Sequence, residues 1–162
     1  RPSAYTASAT EPPLSFRFSP PDKSNMARYL FGGFERCLYS VQKFHSEAER
    51  ILAVILERDS LKWFKPAKGQ FQIFYKQGAD HHEYVPDFVA ETDDMIYLLE
   101  PKAVNTMNDP IVLAKRDVAI KWCVAATTYA QTYGGKPWKY ALIPHTAINE
   151  SRTIQGLAAA NL

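Results

Sequence analysis

The chain has 162 residues, 46% of them hydrophobic and 13% aromatic, with 19 basic against 17 acidic side chains for a formal net charge of +2. That length gives one domain with room for a real core. The near-balance of charge excludes a global basic field, so any contact with nucleic acid has to come from a local patch. No apolar run is long enough to span a membrane, and no signal-peptide pattern opens the chain. Cys37 and Cys123 fall in segments expected to be helical and read as reduced, buried thiols, which points to the cytoplasm. The sequence opens on Arg1 rather than Met, as an excised or processed piece would. It holds no Gly-x-x-x-x-Gly-Lys-Ser/Thr loop, so it carries no ATP-driven motor of its own.

Residues 1–21 contain five of the eleven prolines and read as an extended arm or linker ahead of a domain over 22–162. Residues 24–40 read as a helix with a weak point at Gly32-Gly33. Its stripe of Met26, Tyr29, Leu30, Phe34, Cys37 and Leu38 serves as core or as a docking face. Ser46 opens the next helix with Glu49 three residues on, a capping box. Ala48, Ile51, Leu52 and Ile55 face the core, and the helix ends near Arg58-Asp59. Strands are expected over 61–65 and 70–76, joined by a Pro-Ala-Lys-Gly turn. Lys62, Lys65, Lys68 and Lys76 alternate there with Trp63, Phe64, Phe71, Phe74 and Tyr75. Interleaved basic and aromatic residues suit a DNA-backbone surface, with Lys65 and Lys68 as contacts; an outer strand with one charged face gives the same pattern. His81-His82 has no cysteine nearby to complete a zinc site.

Two further strands are expected over 83–91 (EYVPDFVAE) and 95–102 (MIYLLEPK). Side chains alternate faces along a strand. Glu100 and Lys102 therefore share a face with Ile96 and Leu98, and Asp87 shares one with Val85 and Val89. If Asp93-Asp94 forms a two-residue turn, Thr92 pairs with Met95 and Asp87 lies opposite Glu100, with Cβ atoms about 5 Å apart. A three-residue turn slips the register and separates the carboxylates. Asp109-Pro110 starts a long helix, an N-cap followed by proline at the first helical position. It runs to about Tyr133 and stops at Gly134-Gly135. Its apolar stripe is Leu113, Val118, Trp122, Ala125 and Tyr129, and Lys115, Arg116 and Lys121 are candidates for phosphate contact or solvated charge. A strand over 138–143 and a short helix over 150–160 close the chain.

The chemistry concentrates on Asp87, Glu100 and Lys102. Two carboxylates held close repel unless a cation joins them. A hard divalent ion such as Mg²⁺ takes oxygen ligands, keeps waters and bridges to phosphate. Such an ion acidifies a bound water and stabilises charge on a phosphodiester, and the lysine adds a further positive group. A solvated cross-strand charge cluster is the competing reading.

Pro86-Asp87 with Glu100-Pro101-Lys102 resembles the PD-(D/E)xK nuclease superfamily. The setting is similar to the C-terminal endonuclease domain of type III restriction subunits and related helicase-nuclease proteins. Phe44-His-Ser-Glu-Ala-Glu49-Arg50, Phe71-Gln-Ile-Phe-Tyr75, Lys121-Trp122-Cys123 and Trp138-Lys-Tyr-Ala-Leu-Ile-Pro144 follow that family's order over roughly 30–145. The resemblance implies an α/β, restriction-endonuclease-like sandwich with a central mixed β-sheet flanked by helices. It implies a Mg²⁺-dependent DNA endonuclease, with Mn²⁺ as a substitute. Asp87 and Glu100 are the implied metal ligands, the Pro101 carbonyl a third, Lys102 the catalytic lysine and Glu49 an accessory acid from the preceding helix. The implied partners are double-stranded DNA, an ATP-dependent motor domain or subunit, and a modification subunit. Cutting both strands calls for two sites and hence a homodimer, and no membrane is involved. Pro101 departs from a regular strand because it has no N–H. That leaves as alternative a non-catalytic nucleic-acid-binding or docking domain that retains the fold.

Overall fold

The computed structural model describes residues 11–161. In chain order the strands and helices are β1 (Leu14–Ser15), β2 (Phe31–Gly32), β3 (Val41–Gln42), α1 (Glu47–Asp59), β4 (Lys62–Phe64), β5 (Ile73–Gln77), β6 (Asp80–Tyr84), β7 (Phe88–Glu91), β8 (Ile96–Lys102), α2 (Pro110–Gln131), β9 (Trp138–Pro144) and α3 (Ile154–Ala160). The central sheet has the order β4-β7-β8-β9. Its first three strands pair antiparallel and β8 pairs with β9 in parallel. The chain is therefore a mixed α/β fold, with a mixed sheet flanked by helices and two smaller sheets, β1-β2-β3 and the β5-β6 hairpin.

Alternation along the strands divides the core in two. Phe88 and Ala90 of β7, Tyr97 and Leu99 of β8, and Ala141 and Ile143 of β9 point to one face, where Leu52, Ile55 and Leu56 of α1 and Leu157 of α3 cover them. Val89, Leu98, Tyr140 and Leu142 point to the other, under Ala119 and Cys123 of α2 and Ile73 and Tyr75 of β5. Glu100 and Lys102 follow Leu98 on this second face, at the C-terminal end of β8.

The expected helix over 24–40 does not form. A short 3-10 segment at Lys23–Arg28 gives way to β2, and Gly32-Gly33 is the reason. Gly33 has φ +90°, a left-handed conformation that favours glycine, and a Cβ on buried Gly32 would lie 3.0 Å from the Pro13 side chain. The apolar spacing read as helical serves an aromatic cluster instead: Phe34 meets Phe16 at 4.8 Å and Trp63 at 5.3 Å between ring centroids. The arm expected over 1–21 is likewise corrected where it can be described, since 1–10 lie outside the described residues. β1 pairs with β2, and Phe16 is fully buried with its carbonyl accepting from the buried Arg50 guanidinium at 2.9 Å.

The strand expected over 83–91 is two strands. Pro86 offers no N–H to a ladder, so β6 ends at Tyr84 and pairs with β5, while β7 starts at Phe88. β5 thus joins this hairpin rather than β4. The face of α2 is turned from the one expected. Its buried residues are Val112, Ala119, Cys123 and Ala130, whereas Ala125 and Tyr129 are exposed. Small side chains let the helix approach β9 closely and leave Val118 and Trp122 at the margin. No helix of the described residues is long and apolar enough to cross a membrane.

One buried acid holds the first layer together. Glu57 of α1 accepts from the backbone N–H of Glu35 at 2.9 Å, that of Arg36 at 2.8 Å and Trp63 Nε1 at 2.9 Å. Replacing it by alanine orphans the buried Trp63 Nε1, at about 1–3 kcal/mol, and frees two part-buried backbone donors that water can reach. Glu57→Ala should therefore lose at least about 1 kcal/mol in urea unfolding; no measurable loss would show that the indole donor finds another partner.

Candidate active site

The site forms where β7 begins and β8 ends. The Asp93-Asp94 turn is a two-residue turn: Thr92 N–H donates to the Met95 carbonyl at 2.8 Å, and the ladder pairs Glu91 with Ile96 through Phe88 with Leu99. Counting one residue further puts Asp87 opposite Glu100, the register read from sequence. The Asp87 carboxyl lies within hydrogen-bonding reach of Glu100. Glu100 is 5% exposed. Tyr84 Oη donates to its Oε1 at 2.7 Å, and Lys102 Nζ stands 3.6 Å from its Oε2. Behind them Tyr140 packs edge-on to Tyr84, and its buried hydroxyl makes no hydrogen bond of normal geometry.

Burial raises the Glu100 carboxyl well above the usual carboxylate range, and the Asp87 charge and hydrogen bond add to the rise; Tyr84 and Lys102 only partly oppose it. Glu100 therefore keeps its proton above the ordinary carboxylate range. Glu49, at the start of α1, is tuned the other way. Burial raises its pKa, but His45 and the Lys65 ammonium outweigh this and hold it at about 2. The capping box forms in part: Ser46 Oγ accepts from Glu49 N–H at 3.1 Å, while Glu49 Oε1 accepts from the backbone N–H of His45 at 3.0 Å rather than from Ser46.

A cleft of about 320 Å³ opens over these groups, lined by His45, Glu49, Asp87, Pro101, Lys102, Thr106 and His145 among others. Asp87, Glu49 and Lys102 thus meet at one opening. Lys65, expected on an outer charged face, is turned inward. Its side chain is 11% exposed, and its ammonium bonds Glu49 Oε1 at 3.0 Å and the Asp87 carbonyl at 3.2 Å. Lys68 is exposed in the loop after β4. On α2, Lys121 is exposed, Lys115 lies 5.6 Å over the Tyr75 ring, and Arg116 pairs with Asp117 at 3.1 Å. These three stand on a different element from the cleft-lining residues.

His45 and His145 were not foreseen at the site. His45 Nδ1 stands 3.8 Å from Glu49 Oε2, and this carboxylate raises the imidazole's pKa. His145 follows β9, which parallel pairing sets beside Lys102; burial lowers its pKa and Lys102 lowers it further. Long-range pairing of β8 with β9 leaves no local sequence signal, so His145 was not legible. Lys65 was legible in principle, because alternation with the large aromatic Trp63 turns it inward.

The donor set suits a hard divalent ion: the Asp87 and Glu100 carboxyl groups and the Pro101 carbonyl, beside an open cleft. Among the described residues no three His, Cys, Asp or Glu side chains converge as a ready cage. That accords with ions such as Mg²⁺, which are held by one or two carboxylates plus waters and phosphate. No protein-family model, curated protein or solved structure matches the chain.

These shifts give opposite pH signatures. The raised Glu100 contributes stability below its unfolded value near 4.5, and that contribution is lost as pH rises through the folded value. Glu100→Gln should therefore melt above the parent at alkaline pH without added metal, and parallel melting curves from pH 6 to 9 would contradict this. The depressed Glu49 contributes stability above pH 4.5 that disappears as pH falls toward 2. Glu49→Gln should lose up to about 3 kcal/mol at neutral pH and little at pH 2. Urea unfolding at the two pH values checks this, and an equal loss at both would refute the assignment.

Proposed function

We propose that the chain is a metal-dependent DNA endonuclease domain with a restriction-endonuclease-like fold, hydrolysing phosphodiester bonds. The observation that carries this reading is half-buried Asp87 and Lys102 lining an open cleft, with the buried Glu100 carboxyl beside them both. Burying a carboxyl costs free energy unless it is paired. Here an acid is buried against a second acid and a tyrosine, an arrangement that supports chemistry better than stability.

Asp87, Glu100 and the Pro101 carbonyl are the groups that would hold Mg²⁺, or Mn²⁺ in its place. Bound there, the ion supplies an acidified water and neutralises phosphate charge. Glu100 would give up its proton there and become an acceptor only. Tyr84 holds Glu100 in one orientation. Lys102 sets a positive group at the cleft, where it can meet a phosphate oxygen or orient the attacking water. Water adds to phosphorus as the bond to the leaving oxygen breaks, and that oxygen takes up a proton. A 5′-phosphate product is what the family resemblance implies.

Lys68, Lys115, Arg116 and Lys121 are proposed contacts to the DNA backbone. The resemblance further suggests work in the cytoplasm with an ATP-dependent motor, a modification subunit and a second copy for double-strand cleavage. The alternative, a non-catalytic DNA-binding or docking domain, draws on the Lys65 ammonium, which already occupies Glu49, and on Pro101 within β8.

Supercoiled plasmid incubated with the purified chain and Mg²⁺ or Mn²⁺ tests the reading. The parent should nick it, and Asp87→Ala and Lys102→Ala should be at least about 100-fold slower while melting as cooperatively as the parent. No metal-dependent nicking by the parent, or equal nicking by the variants, would overturn it.

A further inference from the structure

Lys65 reaches the acidic cluster from beneath the cleft. It follows β4, and alternation turns it to the same face as buried Trp63. Its ammonium lies 4.2 Å from the Phe88 ring centroid, 3.0 Å from Glu49 Oε1 and 3.2 Å from the Asp87 carbonyl oxygen. The ring face and the two oxygens suit a partly desolvated cation. The Glu49 oxygen it holds also accepts from His45 N–H, while the other lies toward His45 Nδ1. Glu49 therefore already has its cation. A divalent ion seated on Glu49 would sit within a few ångströms of that ammonium, and at such separations in a buried setting like charges repel strongly. Glu100 has only the looser Lys102 ammonium, 3.6 Å away on a side chain 30% exposed, against 3.0 Å and 11% for Lys65 on Glu49.

We propose that Lys65 is a built-in cation that limits the cleft to one divalent ion, held through Asp87 and Glu100, and keeps Glu49 out of metal coordination. Lys65 is then a positioning residue, gripping the backbone of Asp87 and filling the place a second ion would need. This inference rests on the divalent-ion reading of the preceding subsection and deepens it.

Calorimetric titration of Mn²⁺ into the folded chain, without DNA, tests it. The parent should take up one ion. Lys65→Met should take up two, the second at least tenfold weaker, and Lys65→Met with Glu49→Gln should return to one. Two ions in the parent, or one in a folded Lys65→Met, would overturn the proposal. No ion in the parent would instead defeat the metal-site reading itself and this inference with it. Should Lys65→Met lose its cooperative melt, two other variants decide. Lys65→Arg, which keeps the cation, should still bind one ion, and Glu49→Gln should retain the single site. A second ion in the former or complete loss of binding in the latter would overturn the proposal.

Discussion

Everything at the site depends on the register between β7 and β8. Asp87 and Glu100 are thirteen residues apart in the chain and meet because the turn between them is two residues long. Thr92 fixes that length: its N–H donates to the Met95 carbonyl, and its hydroxyl reaches the same carbonyl at 3.1 Å and Asp94 at 3.2 Å. A slip of one residue would turn Asp87 to the face of Phe88 and Leu99 and leave Glu100 alone in the core. The hydrophobic alternation on both faces guards against that slip, since it would also exchange Val89 for Phe88 against an unmoved β8. The packing that stabilises the sheet is thus the same packing that holds two acids together.

That meeting is costly. Glu100 is buried, and its neighbours include an acid and a tyrosine rather than a tight cationic partner; Lys102 at 3.6 Å is partly exposed. A proton on Glu100 relieves the repulsion, and a divalent ion would relieve it more fully. Glu49, a few residues into α1, is treated oppositely, with Lys65 and His45 stabilising its charge. One buried acid that holds its proton and another locked as a carboxylate give the site an internal asymmetry. The pKa values are pushed apart by environment alone, as at sites where carboxyl groups have different roles.

Much of this was legible in the sequence, for identifiable reasons. Period-two alternation showed that Glu100 and Lys102 share a face, and the polar Asp93-Asp94 pair gave the turn. Ser46 marked the start of α1, and Asp109-Pro110 that of α2. Local signals failed where tertiary context decides. Met26 through Leu38 fits a helical stripe as well as it fits an aromatic cluster fed by short strands, and only the close approach of Pro13 to Gly32 separates the two. Small residues, Ala119 and Cys123, form the buried centre of the α2 face, with Trp122 at its margin on Trp138 of β9, while Tyr129 is exposed. Lys65 looked like a surface lysine among aromatics, yet its alternation with Trp63 carried it inward. His145 and the triple-accepting Glu57 are set by pairings distant in the chain, and no local pattern marks them.

Anomalous diffraction from crystals soaked in Mn²⁺ tests the central claim most directly, that the Asp87–Glu100 pair is a cation site. The account predicts a peak about 2.0–2.2 Å from oxygens of both carboxyl groups, with their mutual hydrogen bond gone and Lys65 still on Glu49. A cleft open to the soak, with no peak between Asp87 and Glu100 and the two acids still hydrogen-bonded, would contradict it.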